Sequence, residues 1–277
     1  MRLELLKVGH CFHPERMVLK GASWKPTEFP SIVSLIKHPS KGYIIFDTGY
    51  ADHFTTATQP FPERFYRWIT PMCLPDSERL VNQLAKKNIA AQDIKYIYIS
   101  HFHADHIAGL KDFPNARFIC SKLALQTIMQ GSRLGNLLQG SLLSLLPDDF
   151  SKRTIFIEEC KTIKISGKLS PFQYGYDVFN DGSLIAIALP GHAHGHYGLM
   201  VYRNKQPVFL IGDACWSIES IKEQRYPHPI SQIILSNTRE YYDTLDKLSR
   251  LHSQNSELTL LPSHCTQSYK AFYAGES

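Results

Sequence analysis

The chain has 277 residues, 43% of them hydrophobic, which is enough to bury a sizeable core as one large or two small domains. Its formal charge of +5 includes no long basic run, which excludes an extended nucleic-acid track and at most favours an anionic substrate weakly. No apolar stretch reaches the roughly 18 residues of a membrane-spanning helix, and the opening MRLELLKVGHCFHPER lacks the basic-then-apolar order of a signal peptide, so a cytoplasmic protein with no membrane partner is expected.

In chain order, strand-like apolar runs fall into two groups. The first comprises residues 3–8, 31–36, 43–46 and 96–99, with a helix expected over 77–88 through Leu80, Val81 and Leu84. The second comprises residues 155–157, 162–165, 184–189, 200–202, 208–211 and 258–261. An outer helix over 238–253 carries Tyr241, Leu245, Leu248 and Leu251. Two sheets with helices outside fit this order. With no linker, low-complexity tract or short repeat, a single domain over 1–277 is the simplest organisation. The six cysteines are scattered without CxxC spacing and read as reduced residues.

Two segments, near 51–75 and 121–150, lie outside this order. In the first, Phe54, Phe61, Phe65, Tyr66 and Trp68 stand among prolines. They either bury their loop on the core or line a substrate pocket, with Phe65 and Trp68 as its wall. The second is a leucine-rich helical stretch over 123–146, interrupted by Gly131, Gly135 and Gly140, and is expected to be a lid or the surface of a homodimer.

Chemistry concentrates at four strand ends. The run His101-Phe102-His103-Ala104-Asp105-His106 follows the strand-like stretch 95–100 and holds four potential metal ligands in six residues. Alternate side chains of an extended segment share a face, so His101 and His103 point together, while a turn swings Asp105 and His106 towards a second centre. His192 follows the apolar run 184–189 in a glycine-rich turn that also holds His194 and His196. Asp213 ends the run 207–211 and is suited to bridging two cations, and His264 follows the run 258–261. Imidazole and carboxylate suit zinc and similar divalent ions. Cys215 and Cys265 each stand within two residues of a proposed ligand, where a thiolate would also bind zinc.

The ordered set HxHxDH, GH, GD and a late His resembles the metallo-β-lactamase superfamily of metallohydrolases over nearly the whole chain. The resemblance implies an α/β (α+β) fold, the αββα four-layer sandwich. It also implies one metal on His101, His103 and His192, another on Asp105, His106 and His264, and Asp213 bridging. The metals would be two divalent ions, zinc first, with iron or manganese as alternatives. Ile44-Ile45-Phe46-Asp47-Thr48-Gly49 resembles the superfamily's early strand and DTG turn. Asp47 is thus expected either to orient ligands or to act as an ordinary turn cap. Asp213 in place of Cys argues against a true β-lactamase, and His103 in place of Glu against the diiron branch.

Residues 191–197 look most like the N-acyl homoserine lactone lactonases, a branch that also carries His at the position of His196. That branch commonly has Tyr three residues after the bridging Asp, whereas this chain has Trp216. An indole N–H donates one hydrogen bond but exchanges no proton near neutral pH, so Trp216 is a weaker substitute or a pocket wall. The expectation is a dinuclear hydrolase whose metal-bridging hydroxide cleaves an ester or lactone with an apolar moiety, Asp105 and Asp213 being catalytic and Asp105 relaying the proton. The alternatives are a phosphodiesterase acting on nucleotides or RNA and a non-catalytic metal-binding regulator of the same fold.

Overall fold

The computed structural model describes residues 1–165 and 170–274. Contacts cluster in two compact units, Met1–Phe12 with Glu28–Ile155 and His13–Thr27 with Phe156–Ser277. Each holds one sheet.

Among the described residues the first sheet has β1 (Arg2–Pro14), β2 (Pro26–His38), β3 (Gly42–Phe46), β4 (Met72–Cys73), β5 (Ile94–Tyr98), β6 (Arg117–Cys120) and β7 (Thr154–Phe156), ordered β4-β1-β2-β3-β5-β6-β7. β2 and β3 form an antiparallel hairpin closed at Gly42, whose φ of 80° suits glycine. β3, β5 and β6 run parallel, and strands buried on both faces read as continuous apolar runs. Ile44, Ile45, Ile97, Tyr98, Phe118 and Ile119 accordingly have almost no exposed surface. In the β3–β5 register Phe46 lies opposite Tyr98, and the Asp47 N–H donates to the Tyr98 carbonyl. The segments that leave both strands therefore emerge side by side.

The second sheet has β8 (Lys161–Lys164), β9 (Tyr174–Asp177), β10 (Ile185–Ala188), β11 (Tyr197–Arg203), β12 (Gln206–Gly212) and β13 (Thr259–Pro262), ordered β13-β12-β11-β10-β9-β8. Only the β12–β13 pair among these ladders is parallel. The helix Thr238–Gln254 starts at Asn237, whose side chain accepts from the Arg239 and Glu240 N–H groups. Its Leu245, Leu248 and Leu251 pack in one apolar cluster with Phe209, Ile211 and Leu260.

The expected helix over 77–88 is shorter, Leu80–Lys86, because a 3-10 turn at Asp76–Glu78 precedes it and Asn88 leaves it at a φ of 58°. The segment 51–75 folds as helices Asp52–Ala57 and Arg64–Ile69. The leucine-rich stretch forms Lys122–Gln130 and Arg133–Leu138, capped by Ser121 and Ser132. Gly131 and Gly140 stand outside these helices, whereas Gly135 lies within the second. No described helix is long and apolar enough to cross a membrane.

Candidate metal centre

In the first unit, ligand candidates gather where β5 ends. His103 is extended, with φ −69° and ψ 149°, and the chain turns at once into the helix Ala104–Ile107. That change of direction separates the His101/His103 pair from Asp105 and His106. The His101 ring lies 4.4 Å from that of His103 and 4.1 Å from that of His106, centroid to centroid. One ring nitrogen each of His101 and His103 lie within 4.8 Å of one another, and Asp105 Oδ2 is 3.8 Å from His106 Nε2.

Asp47 anchors this loop. Its carboxylate accepts from Ser100 N–H, Ser100 Oγ and His106 Nδ1, each at 2.8 Å. His106 then carries its proton on Nδ1 and presents Nε2, the arrangement that an imidazole ligand needs from a carboxylate partner. Ser100 Oγ also lies 2.9 Å from His101 Nδ1, so one buried carboxylate orients His106 directly and His101 through Ser100. Asp47 is 1% exposed and sits at a φ of 58°, a left-handed conformation uncommon for a non-glycine residue.

Sequence reasoning missed three partners of this loop. Besides Ser100, they are Ser31, whose Oγ donates to the Asp105 carbonyl, and Gly140, whose carbonyl accepts from Ala104 N–H. A Cβ on Gly140 would lie 3.4 Å from the His103 ring, so glycine there lets the 121–150 segment approach the ligand loop. No local pattern marks any of the three.

In the second unit, one carboxylate oxygen collects three nitrogens. Asp213 Oδ2 lies 3.3 Å from His192 Nε2 and 3.3 Å from His264 Nε2, and accepts the Trp216 indole N–H at 2.9 Å. Trp216 is buried, with its ring edge-on to His192 and tilted on Tyr241. His196 faces elsewhere. Its Nδ1 meets the Leu189 carbonyl at 3.1 Å and its Nε2 accepts the Asp213 backbone N–H at 3.2 Å, so it ties β11 to the Asp213 loop. His194 is exposed.

The His192 loop is held tightly. Gly191 has a φ of 118°, and a Cβ there would fall 2.0 Å from Tyr241 N. Thr244 Oγ1 donates to the Pro190 carbonyl, and Ser236 Oγ to that of Gly191. Burial pushes the Cys215 thiol well above its ordinary range, which keeps it neutral. Cys265 Sγ accepts from the Ile218 and Ser268 N–H groups.

These donor sets fit a metal of the zinc type. His101, His106 and His192 are each 1% exposed, and His192 and His264 aim imidazole nitrogens at one carboxylate oxygen. Phe65 and Trp68, by contrast, are about half exposed and pack on one another and on Phe61.

Comparison with known proteins agrees with this chemistry. The family model described as metallo-beta-lactamase superfamily matches residues 26–253. The N-acyl homoserine lactonase AttM of Rhizobium radiobacter is 26% identical over 249 residues, covering 88% of this chain and 85% of that protein. A Bacillus thuringiensis AiiA variant with N-decanoyl-L-homoserine bound at its active site superposes with a TM-score of 0.71 at 17% identity, over 97% of this chain and 95% of that one. AidC, a dizinc quorum-quenching lactonase in complex with a product, gives 0.63 at 16% identity over 96% and 87%. The two sheets and mixed α/β content are thus those of the metallo-β-lactamase fold, and the chain belongs to the metallo-β-lactamase superfamily of metal-dependent hydrolases.

Proposed function

We propose that this chain opens lactones bearing an apolar acyl group, with N-acyl homoserine lactones as the first candidates. It would hold one divalent ion on His101, His103 and His192 and another on Asp105, His106 and His264, with Asp213 between them. The observation that carries this reading is the single Asp213 oxygen facing both His192 and His264. The lactonase relatives and the dizinc state of AidC support the substrate class and the zinc pair. Bound divalent ions supply an acidified water and a Lewis-acid contact for the scissile carbonyl.

The chain's own residues do the rest. Asp47 keeps the His106 proton on Nδ1, which makes Nε2 the nitrogen that would ligate. Trp216 fixes one oxygen of Asp213. The Asp105 side chain, at 13% exposed against 4% for Asp213, is the more open of the two carboxylates, and holds the proton that passes to the leaving alkoxide. With no linker or low-complexity tract in the sequence, we propose that residues 1–277 act as one domain.

A substrate panel on zinc- and manganese-loaded protein tests this reading. It compares acyl homoserine lactones, aryl esters, thioesters and bis-p-nitrophenyl phosphate. Lactones are expected to reach the ordinary enzyme range, kcat/KM above about 10⁴ M⁻¹s⁻¹, and to exceed the phosphodiester. Preference for the phosphodiester, or no turnover of any lactone or ester, would contradict it.

A further inference from the structure

The aromatic helix Arg64–Ile69 and the turn before it bury little of their apolar surface. Phe61, Phe65 and Trp68 form a triangle of edge-to-face rings with centroids 5.3 to 5.8 Å apart. Trp68 is 58% exposed and the adjacent Ile69 70%. The Arg133 guanidinium forks onto the Glu63 carboxylate and also donates to the Phe61 carbonyl, which fastens the helix Arg133–Leu138 to this segment. Leu134 and Leu138, four residues apart on one face of that helix, are exposed as well. These exposed apolar side chains therefore stand on two segments of the first unit that Arg133 holds together.

The charge around them is one-sided. Residues 64–75 and 113–147 contain no Asp or Glu, and Glu63 is buried and held below the ordinary carboxylate range by Arg133. The cations beside these rings are Arg64, stacked over Phe61, and Arg67. A second copy of this chain would set these cations against their own counterparts with no carboxylate to pair them. An anionic lipid surface complements both features. Trp and Phe rings sit at headgroup level, and arginine stems lie along apolar surface while their heads reach lipid phosphates. The two helices of this patch have six residues each, so they can lie in an interface but cannot cross it.

We infer that residues 61–69, with Leu134 and Leu138, dock this protein reversibly on anionic bilayers. The inference departs from the absence of a membrane partner expected from sequence, and it stands without the lactone reading. A substrate with an acyl chain partitions into the same bilayers, so docking would bring enzyme and substrate together.

Co-sedimentation of the full chain tests it, using vesicles of phosphatidylcholine alone and of phosphatidylcholine with about one third phosphatidylglycerol. At roughly fivefold per cation, two cations give on the order of 25-fold tighter partition onto the anionic vesicles, weakened by salt. The double variant Phe65→Ser/Trp68→Ser should lose binding to both vesicles. Arg64→Ser/Arg67→Ser should lose most of the preference for the anionic ones. Equal partition of the wild type on both vesicles, or none on either, overturns the inference without recourse to variants. It also fails if neither double variant changes binding, or if Phe65→Ser/Trp68→Ser instead abolishes a concentration-dependent dimer.

Discussion

Asp213 Oδ2 is where most of the second unit's chemistry meets, because two imidazole nitrogens face it and the Trp216 indole donates to it. A carboxylate held on one oxygen presents its free lone pairs in a fixed direction, and loss of such an outer partner typically costs 10- to 100-fold in metal affinity. Trp216→Phe keeps a ring against His192 and Tyr241 but removes the donor. It is expected to weaken metal binding by about 10-fold or more in a competition titration against a chromophoric chelator, with a near-wild-type circular dichroism spectrum. Unchanged affinity would mean that the indole only packs. The candidate ligands stand out in the sequence because His101, His192, Asp213 and His264 each come within three residues of the end of an apolar run. Ser100, Gly140 and Tyr241 do not, since what they touch depends on strand register and on loops distant in sequence.

At the scale of elements, the long apolar strands and the amphipathic helix Thr238–Gln254 were readable from their periods. β6 was missed because its apolar run 118–120 leads almost directly into the leucine-rich helical stretch, and β9 because Tyr174-Gly175-Tyr176-Asp177 alternates too weakly. The two-residue β4 exists only through its pairing with β1. The turn that carries His192 shows how an element fixes a ligand, since Gly191 lies where the start of the outer helix comes within Cβ distance. Gly191→Ala is therefore expected to prevent normal folding or to remove metal binding along with it. Gly182→Ala meets nothing within 4 Å at a φ of 73° and should cost only the left-handed backbone strain, about 1 kcal/mol, or a Tm lower by about 2–4 °C. Calorimetry on both variants checks this, and equal, small losses would show that the His192 turn is looser than it looks.

At the scale of the whole molecule, each unit gathers potential metal ligands at the ends of its strands. The first brings together His101, His103, Asp105 and His106, with Asp47 bonded to Ser100 and His106, and the second brings together His192, Asp213 and His264. On the proposed assignment, seven nitrogen and oxygen donors exceed what one tetrahedral zinc can use, which is why a pair of ions is proposed. The fold class was legible because its strands alternate with helices in two groups, and the boundary between the two units was not, because no change of composition marks it. The most direct test of the central claim is equilibrium dialysis against zinc followed by elemental analysis of wild type, Asp213→Ala and His194→Ala. Two ions per chain are expected for the wild type and for His194→Ala, and loss of the pair for Asp213→Ala. A wild type that saturates at one ion, or equal losses in both variants, would contradict it.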